Sequence, residues 1–268
     1  MGRRLLVALL VCTGLMRPAA LPAELVAVRH IEGVVHGFLI LRTAEGEALA
    51  DGDLIQFARG DRVTSRLVFH FRDGSIHDET VVFSQRRRFQ LLSDHLIQKG
   101  PSFPHPMEIL IDKTSGRVTV RYREKDGEEK VAEEQMELPA DLANGLILTL
   151  LKNLRPEASE TTVSMVAATP KPMLVKLVVS PAGEEPFSIG SSSRKATRYV
   201  VRIEIGGLAG VLAPLLGKKP PDTHVWILAG EAPAFVKSEG PLYFGGPAWK
   251  IELTSPVWPK GAAGVPQR

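Results

Sequence analysis

Cysteine is almost missing from this chain. A single thiol, Cys12, stands among 268 residues, and it falls inside the opening segment MGRRLLVALLVCTGLMRPAALPA, which has the build of an export signal. Arg3 and Arg4 precede an apolar stretch from Leu5 to Met16, and small residues and prolines follow before the first acid, Glu24. Cleavage after Ala23 leaves no cysteine at all. Disulfides, thiolate metal sites and cysteine nucleophiles are thereby excluded from the mature protein. The alternative of a lipidated Cys12 is disfavoured, because Val11 is bulky where such signals carry a small residue and Cys12 lies within the apolar stretch itself.

Surplus charge is the second shortage. Residues 1–23 hold Arg3, Arg4 and Arg17 and no acid, so removing them takes 33 basic residues to 30, equal to the 30 acids. A nucleic-acid footprint needs clustered excess Lys and Arg, and none remains. The apolar stretch Leu5–Met16 is also short of the roughly 20 residues that span a bilayer. A phosphate loop is lacking too: Gly206-Gly207-Leu208-Ala209-Gly210 has neither dinucleotide nor P-loop spacing. The segmentation expected is a signal peptide at 1–23, a single β-rich domain at 24–259, divisible into halves 24–156 and 157–259 without an internal sequence repeat, and a disordered tail at 260–268. Its location is expected to be periplasmic or secreted.

What is present is a long series of alternating and β-branched segments. Strands are expected at Val34–Arg42, Asp53–Arg59, Val63–Phe71, Ile76–Phe83, Arg88–Gln98, Met107–Asp112, Arg117–Arg123 and Glu129–Leu138. They resume at Thr161–Ala168, Met173–Val179, Arg198–Ile205, Val225–Leu228, Ala234–Lys237 and Ala248–Leu253. Asp73-Gly74 and Asp126-Gly127 are hairpin signals, since Asp-Gly accepts the positive φ angles of tight turns. Glu184–Lys195 has the composition of an exposed loop.

Two apolar helices interrupt the strands. Pro139 suits a first helical position, Asp141 and Lys152 with Arg155 complement the dipole, and Pro156 ends the segment. Leu208, Val211, Leu212, Leu215 and Leu216 recur at helical spacing and form either a short core helix or an apolar cover able to touch a membrane. The fold expected is mainly β: a large antiparallel meander curled into an open or partly closed barrel, with two apolar helices.

Several constellations carry chemistry on paper. A two-residue Asp73-Gly74 loop would set His70 directly opposite His77, where the imidazoles could share a metal given a third ligand from Asp94, His95 or His105. In that register His70, Arg72 and Glu79 form a solvated face. Ser93-Asp94-His95 brings triad residue types together, but strand neighbours point to opposite faces and cannot relay a proton. Ser191–Ser193 lack the closing glycine of a nucleophile elbow. Asp222, His224 and Trp226 alternate, as an acid–base pair or as a strand start with Trp226 in the core. Arg86–Arg88 read as a basic surface turn, and Glu128, Glu129, Glu133 and Glu134 as a solvated edge.

The ending is similar to a group of uncharacterised exported bacterial proteins, on Gly206–Gly210, on Ala213-Pro214-Leu215-Leu216-Gly217-Lys218-Lys219-Pro220-Pro221-Asp222 with Trp226, and on Phe244-Gly245-Gly246-Pro247 with Trp249. That resemblance implies a Gram-negative envelope and a β meander, and no catalytic residues. A looser likeness of shape points to lipocalins and periplasmic lipoprotein carriers. The function expected is non-enzymatic binding of an apolar or lipidic ligand in a concave sheet, without a cofactor. The alternatives are an envelope protein that docks a partner protein and a metal-dependent hydrolase using His70 and His77.

Overall fold

The protein is described by a computed structural model covering residues 25–124, 127–155, 157, 159–189, 192–204 and 221–255. Fourteen strands follow one another: β1 (Val35–Arg42), β2 (Ala48–Arg59), β3 (Arg62–Phe71), β4 (Ile76–Ser84), β5 (Gln90–Lys99), β6 (Met107–Asp112), β7 (Arg117–Arg123) and β8 (Glu129–Gln135), then α1 (Ile147–Asn153), β9 (Thr161–Ala167), β10 (Met173–Ile189), β11 (Ser192–Glu204), β12 (Thr223–Leu228), β13 (Ala234–Pro241) and β14 (Ala248–Leu253). They form one sheet in the order β8-β7-β6-β5-β4-β3-β2-β1-β14-β13-β12-β11-β10-β9. Every adjacent pair is antiparallel.

Strands β1–β8 and β9–β14 are two meanders sewn together in the middle of the sheet. The seam is β1 against β14, with Leu39 opposite Leu253 and Arg42 opposite Lys250. The sheet does not close, and β8 and β9 are its edges. A single apolar core draws buried residues from every strand except β8, among them Leu41, Phe69, Phe83, Ile109, Leu177 and Tyr199. Alternation explains this, because period-two patterning sends one residue in two to the concave side.

The segment between the edges fills that concave side. Leu138, Leu142, Ala143, Leu146, Leu150 and Leu151 are buried in the common core. The sequence predicts a helix from Pro139 to Pro156, but α1 starts only at Ile147. The residues before it are used instead to cover the β9 edge. Ala143 N–H donates to the Ser164 carbonyl at 2.8 Å, and Ser164 N–H to the Asp141 carbonyl at 3.2 Å. The Asn144 side chain then pairs with both backbone groups of Val166, at 3.0 and 2.9 Å. A bare sheet edge is an aggregation template, and these bonds satisfy it locally.

Two sets of contacts flank the concave space. At one end residues 26–33 are strapped to α1: Asn153 Oδ1 accepts from the backbone of Arg29 and His30 at 2.9 and 2.7 Å. Lys152 Nζ meets buried Glu32 at 2.6 Å, and Gln56 Nε2 donates to the same carboxylate at 2.9 Å. At the other end Phe71, Phe103, Tyr243 and Trp249 pack edge-on or tilted, with centroids 5.3 to 6.4 Å apart.

One further expectation is corrected, and two others are located. Glu184–Lys195 is not an exposed loop, because β10 and β11 run on as a long hairpin in which Glu185 pairs with Ala196 and Phe187 with Arg194. Trp226 is buried outside the main core, in a separate cluster with Ala196 and Val236, because Val225 and Ile227 take the concave side. One α-helix stands among the described residues, and the helix expected over Leu208–Leu216 lies outside them, as do the segments 1–23 and 260–268. Among the described residues, no helix is long and apolar enough to cross a membrane.

Candidate functional site

The β3–β4 hairpin sets the chemistry of the concave wall through its register. Asp73 Oδ1 accepts from Ser75 N–H at 2.8 Å, an Asx turn within a loop that takes in Arg72 as well as Asp73 and Gly74. Phe71 N–H then donates to the Ser75 carbonyl at 2.9 Å, closing a loop longer than two residues. Pairing slips by one from the expected register: His70 faces Ile76, and Phe69 faces His77. A one-residue slip turns every side chain to the opposite face. His70 is therefore exposed and His77 is buried on the other side, so the two imidazoles do not meet. Among the described residues, no group of three or more His, Cys, Asp or Glu side chains is placed to hold a metal ion.

The same slip carries Glu79 inward. Leu54 pairs with Leu67, Leu67 with Glu79, and Glu79 with Leu96, so these four form a row across β2 to β5. Each keeps some accessible surface, whereas Gly52, Phe69, His77 and Gln98 on one side of the row are buried, and so are Gln56, Val81 and Asp94 on the other. The row is a recess in the concave wall, apolar apart from one carboxyl. Gly145, in the segment facing it, makes that depth usable. It has φ +63°, and a Cβ there would overlap Val81 Cγ2 and lie 3.3 Å from the Glu79 carboxyl carbon. Gly145 is itself exposed, and its lack of a side chain lets the covering segment approach the carboxyl closely.

Around the recess the polar groups are poorly partnered. Gln98 Nε2 donates to the Leu242 carbonyl at 2.9 Å and to His77 Nδ1 at 3.0 Å. An amide nitrogen can only donate, so the proton of neutral His77 sits on Nε2. That Nε2 is buried without a hydrogen-bond partner among the described residues, and so is Asp94 Oδ1. His77 is 3 % exposed and Asp94 2 %. Burial pushes His77 down to about 4, against the pull of Asp78. Burial pushes Glu79 up to about 7, and burial together with the Glu79 charge holds Asp94 well above the carboxylate range. Near neutral pH the wall carries a neutral imidazole and a partly ionised Glu79. Perturbed carboxyls in a recess mark functional sites more often than structural ones.

Glu79 and Gln98 are the residues that sequence reasoning missed as site members. A signal was available: His77 and Glu79 alternate with Val81 and Phe83, so one face of that strand runs from polar to fully apolar. The other candidates are dispersed. Asp94 and His95 do point to opposite faces, and His95 Nε2 lies 2.7 Å from Glu108 on the outside. His105 is exposed in the loop after β5. His224 Nδ1 is buried without a partner among the described residues, and Trp226 Nε1 donates to Glu185 at 2.7 Å. Arg86, Arg87 and Arg88 form an exposed turn with Arg87 at φ 72°. Leu208, Val211, Leu212, Leu215 and Leu216 lie outside the described residues, as does Ser191.

An open cleft of about 520 Å³ lies separately beside β9 and β10, lined by Lys113, Leu138, Pro139, Leu174 and Lys176 among others. Its ammonium groups are already held. Lys113 Nζ donates to the Leu138 carbonyl at 2.6 Å, and Lys176 Nζ to Ser164 Oγ at 2.8 Å.

No family model matches this chain, and no curated protein matches it. A solved structure is similar in outline: the crystal structure of a β-barrel-like protein of the domain of unknown function DUF1849 from Brucella abortus. The two align with a TM-score of 0.47 at 9 % identity, over 84 % of this chain and 98 % of that one.

Proposed function

We propose that this protein is an exported, non-enzymatic binder of an apolar or lipidic molecule, held in the recess of its concave sheet. The observation that carries this reading is the row Leu54, Leu67, Glu79 and Leu96. It points into the concave space and keeps accessible surface between rows that are buried apart from Ser65. Ligand sites in proteins are typically concave and apolar with a few convergent polar groups, which describes this wall. The strap at residues 26–33 and the aromatic cluster at Phe103 and Trp249 support the reading, because they pack to either side of this row and leave it its accessible surface. Export through the first 23 residues would deliver the protein to the envelope, where such ligands abound.

Titration with N-phenyl-1-naphthylamine, a neutral dye that brightens in apolar surroundings, tests it. Saturable binding near one dye per protein is expected, and Leu67→Trp, which fills the recess, is expected to abolish it while the far-ultraviolet circular dichroism stays unchanged. An unbound dye, or equal binding by the folded Leu67→Trp variant, overturns the reading.

A further inference from the structure

The concave side handles its carboxylates in two ways. Glu32 is met by Lys152 Nζ at 2.6 Å, and Asp141 by Lys176 Nζ at 3.4 Å and Ser164 Oγ at 2.9 Å. Glu79 and Asp94 share the same wall and have no cation among the described residues. Neither makes a side-chain hydrogen bond there to a basic group, and Asp94 Oδ1 has no partner at all among them. The groups facing them do not supply the missing charge. On β4 the neighbour is His77, neutral and committed through Nδ1 to Gln98. Across β5 and β3 lie Leu96 and Leu67. From the covering segment comes Gly145, while Asp141 in that segment is turned to Ser164. A buried carboxylate without a partner costs several kcal/mol in water-poor surroundings, and proteins retain one where something else completes it.

We propose that the recess takes a cationic amphiphile, with its ammonium group against Glu79, behind which the buried Asp94 adds its negative potential, and its hydrocarbon chain along Leu54, Leu67 and Leu96. This rests on the reading that the concave wall binds an apolar ligand, and it adds the chemistry of the head. An anionic head such as a carboxylate or phosphate would meet two carboxyls and no counter-charge. A hydroxyl would satisfy one hydrogen bond and leave the charge uncompensated. An ammonium completes the charge, and it adds a charge-assisted hydrogen bond where a primary amine presents N–H groups. His77 Nε2–H, a donor, favours no cation itself, so selectivity falls to the two carboxyls.

The test displaces N-phenyl-1-naphthylamine from the full chain with three ten-carbon probes below their aggregation concentrations: decylamine, decanol and decanoate. Near neutral pH the amine is expected to bind about tenfold tighter than decanoate, the size of one charge-assisted bond. Glu79→Gln is expected to erase most of that preference while dye binding persists, and Asp94→Asn provides a second isosteric variant should Glu79→Gln fail to fold. Decanoate binding as tightly as the amine, or an unchanged preference in a folded variant, overturns the head-group assignment and leaves the recess standing. A wild-type chain that does not take up the dye overturns both.

Discussion

Strands β4 and β5 carry the same kinds of side chain on their two faces, one residue apart, with opposite outcomes. On the outer face Arg66 grips Asp78 through two bonds of 2.9 and 2.6 Å. Beside it, Glu108 sits between His95 at 2.7 Å and Arg121 at 3.0 Å. The Arg66 bond holds Asp78 below the usual carboxylate range. Burial pushes Glu108 up, but the bonds from His95 and Arg121 outweigh it. One position along each strand, Glu79 and Asp94 turn inward, lose water and gain no cation, and both are pushed up. The outer pairs are ordinary solvated ion pairs worth at most about 1 kcal/mol each. The inner carboxyls are costly in their charged form where they stand.

The comparison is broken most severely by adding bulk on the inner side. Gly145→Ala forces a positive φ on a residue with a Cβ and drives that Cβ into Val81, so a loss of about 2–5 kcal/mol is expected. Gly74→Ala, at φ +84° in an outer turn with nothing within 4 Å, is expected to cost only about 1 kcal/mol. Urea denaturation of the two variants measures the contrast, and equal losses would dissolve it.

Charge removal comes next. The folded pKa of Glu79 is raised from 4.5 to about 7, so the native protein holds the extra proton between those values. Its contribution to stability therefore falls as pH rises through that window. Glu79→Gln is expected to match the parent below about pH 4.5 and to exceed it above pH 7 by up to about 3 kcal/mol. His77, lowered from 6.5 to about 4, acts in the opposite sense, its contribution being lost as pH falls through that range. It is present in both proteins and cancels in their difference. Denaturation at a series of pH values supplies the curve, and a difference that does not vary with pH would count against an uncompensated inner carboxyl.

The smallest effect belongs to the outer face. Asp78→Asn is expected to lose about 1 kcal/mol or less, the loss shrinking in high salt. Because the Asp78 pKa is lowered, its contribution is present above the ordinary carboxylate range and fades as pH falls. A large, salt-independent loss would place Asp78 with the inner group.

Much of the sheet was readable from alternation, and Met107–Asp112, Arg117–Arg123 and Ala248–Leu253 end where patterning places them. What patterning did not contain was register. Asp73-Gly74 reads as a two-residue loop, but the Asp73 side chain captures Ser75 N–H and lengthens it. The length of that loop fixes whether His77 and Glu79 face His70 in solvent or Phe69 in the core. The β4 sequence could not arbitrate, because Ile76, Asp78, Thr80 and Val82 are about as mixed as His77, Glu79, Val81 and Phe83. The late start of α1 was hidden for a related reason. Asp141 and Asn144 suit a helical first turn, and here they bond to Ser164 and Val166, far away in sequence.

The most direct test is a carboxyl-carbon NMR titration of the whole protein, following Asp78 and Glu79 together. The account predicts that Asp78 titrates below the ordinary aspartate range while its neighbour Glu79 titrates near 7. Both groups titrating below about 5 would show that Glu79 is solvated or paired, and would contradict an unpartnered carboxyl in the concave wall.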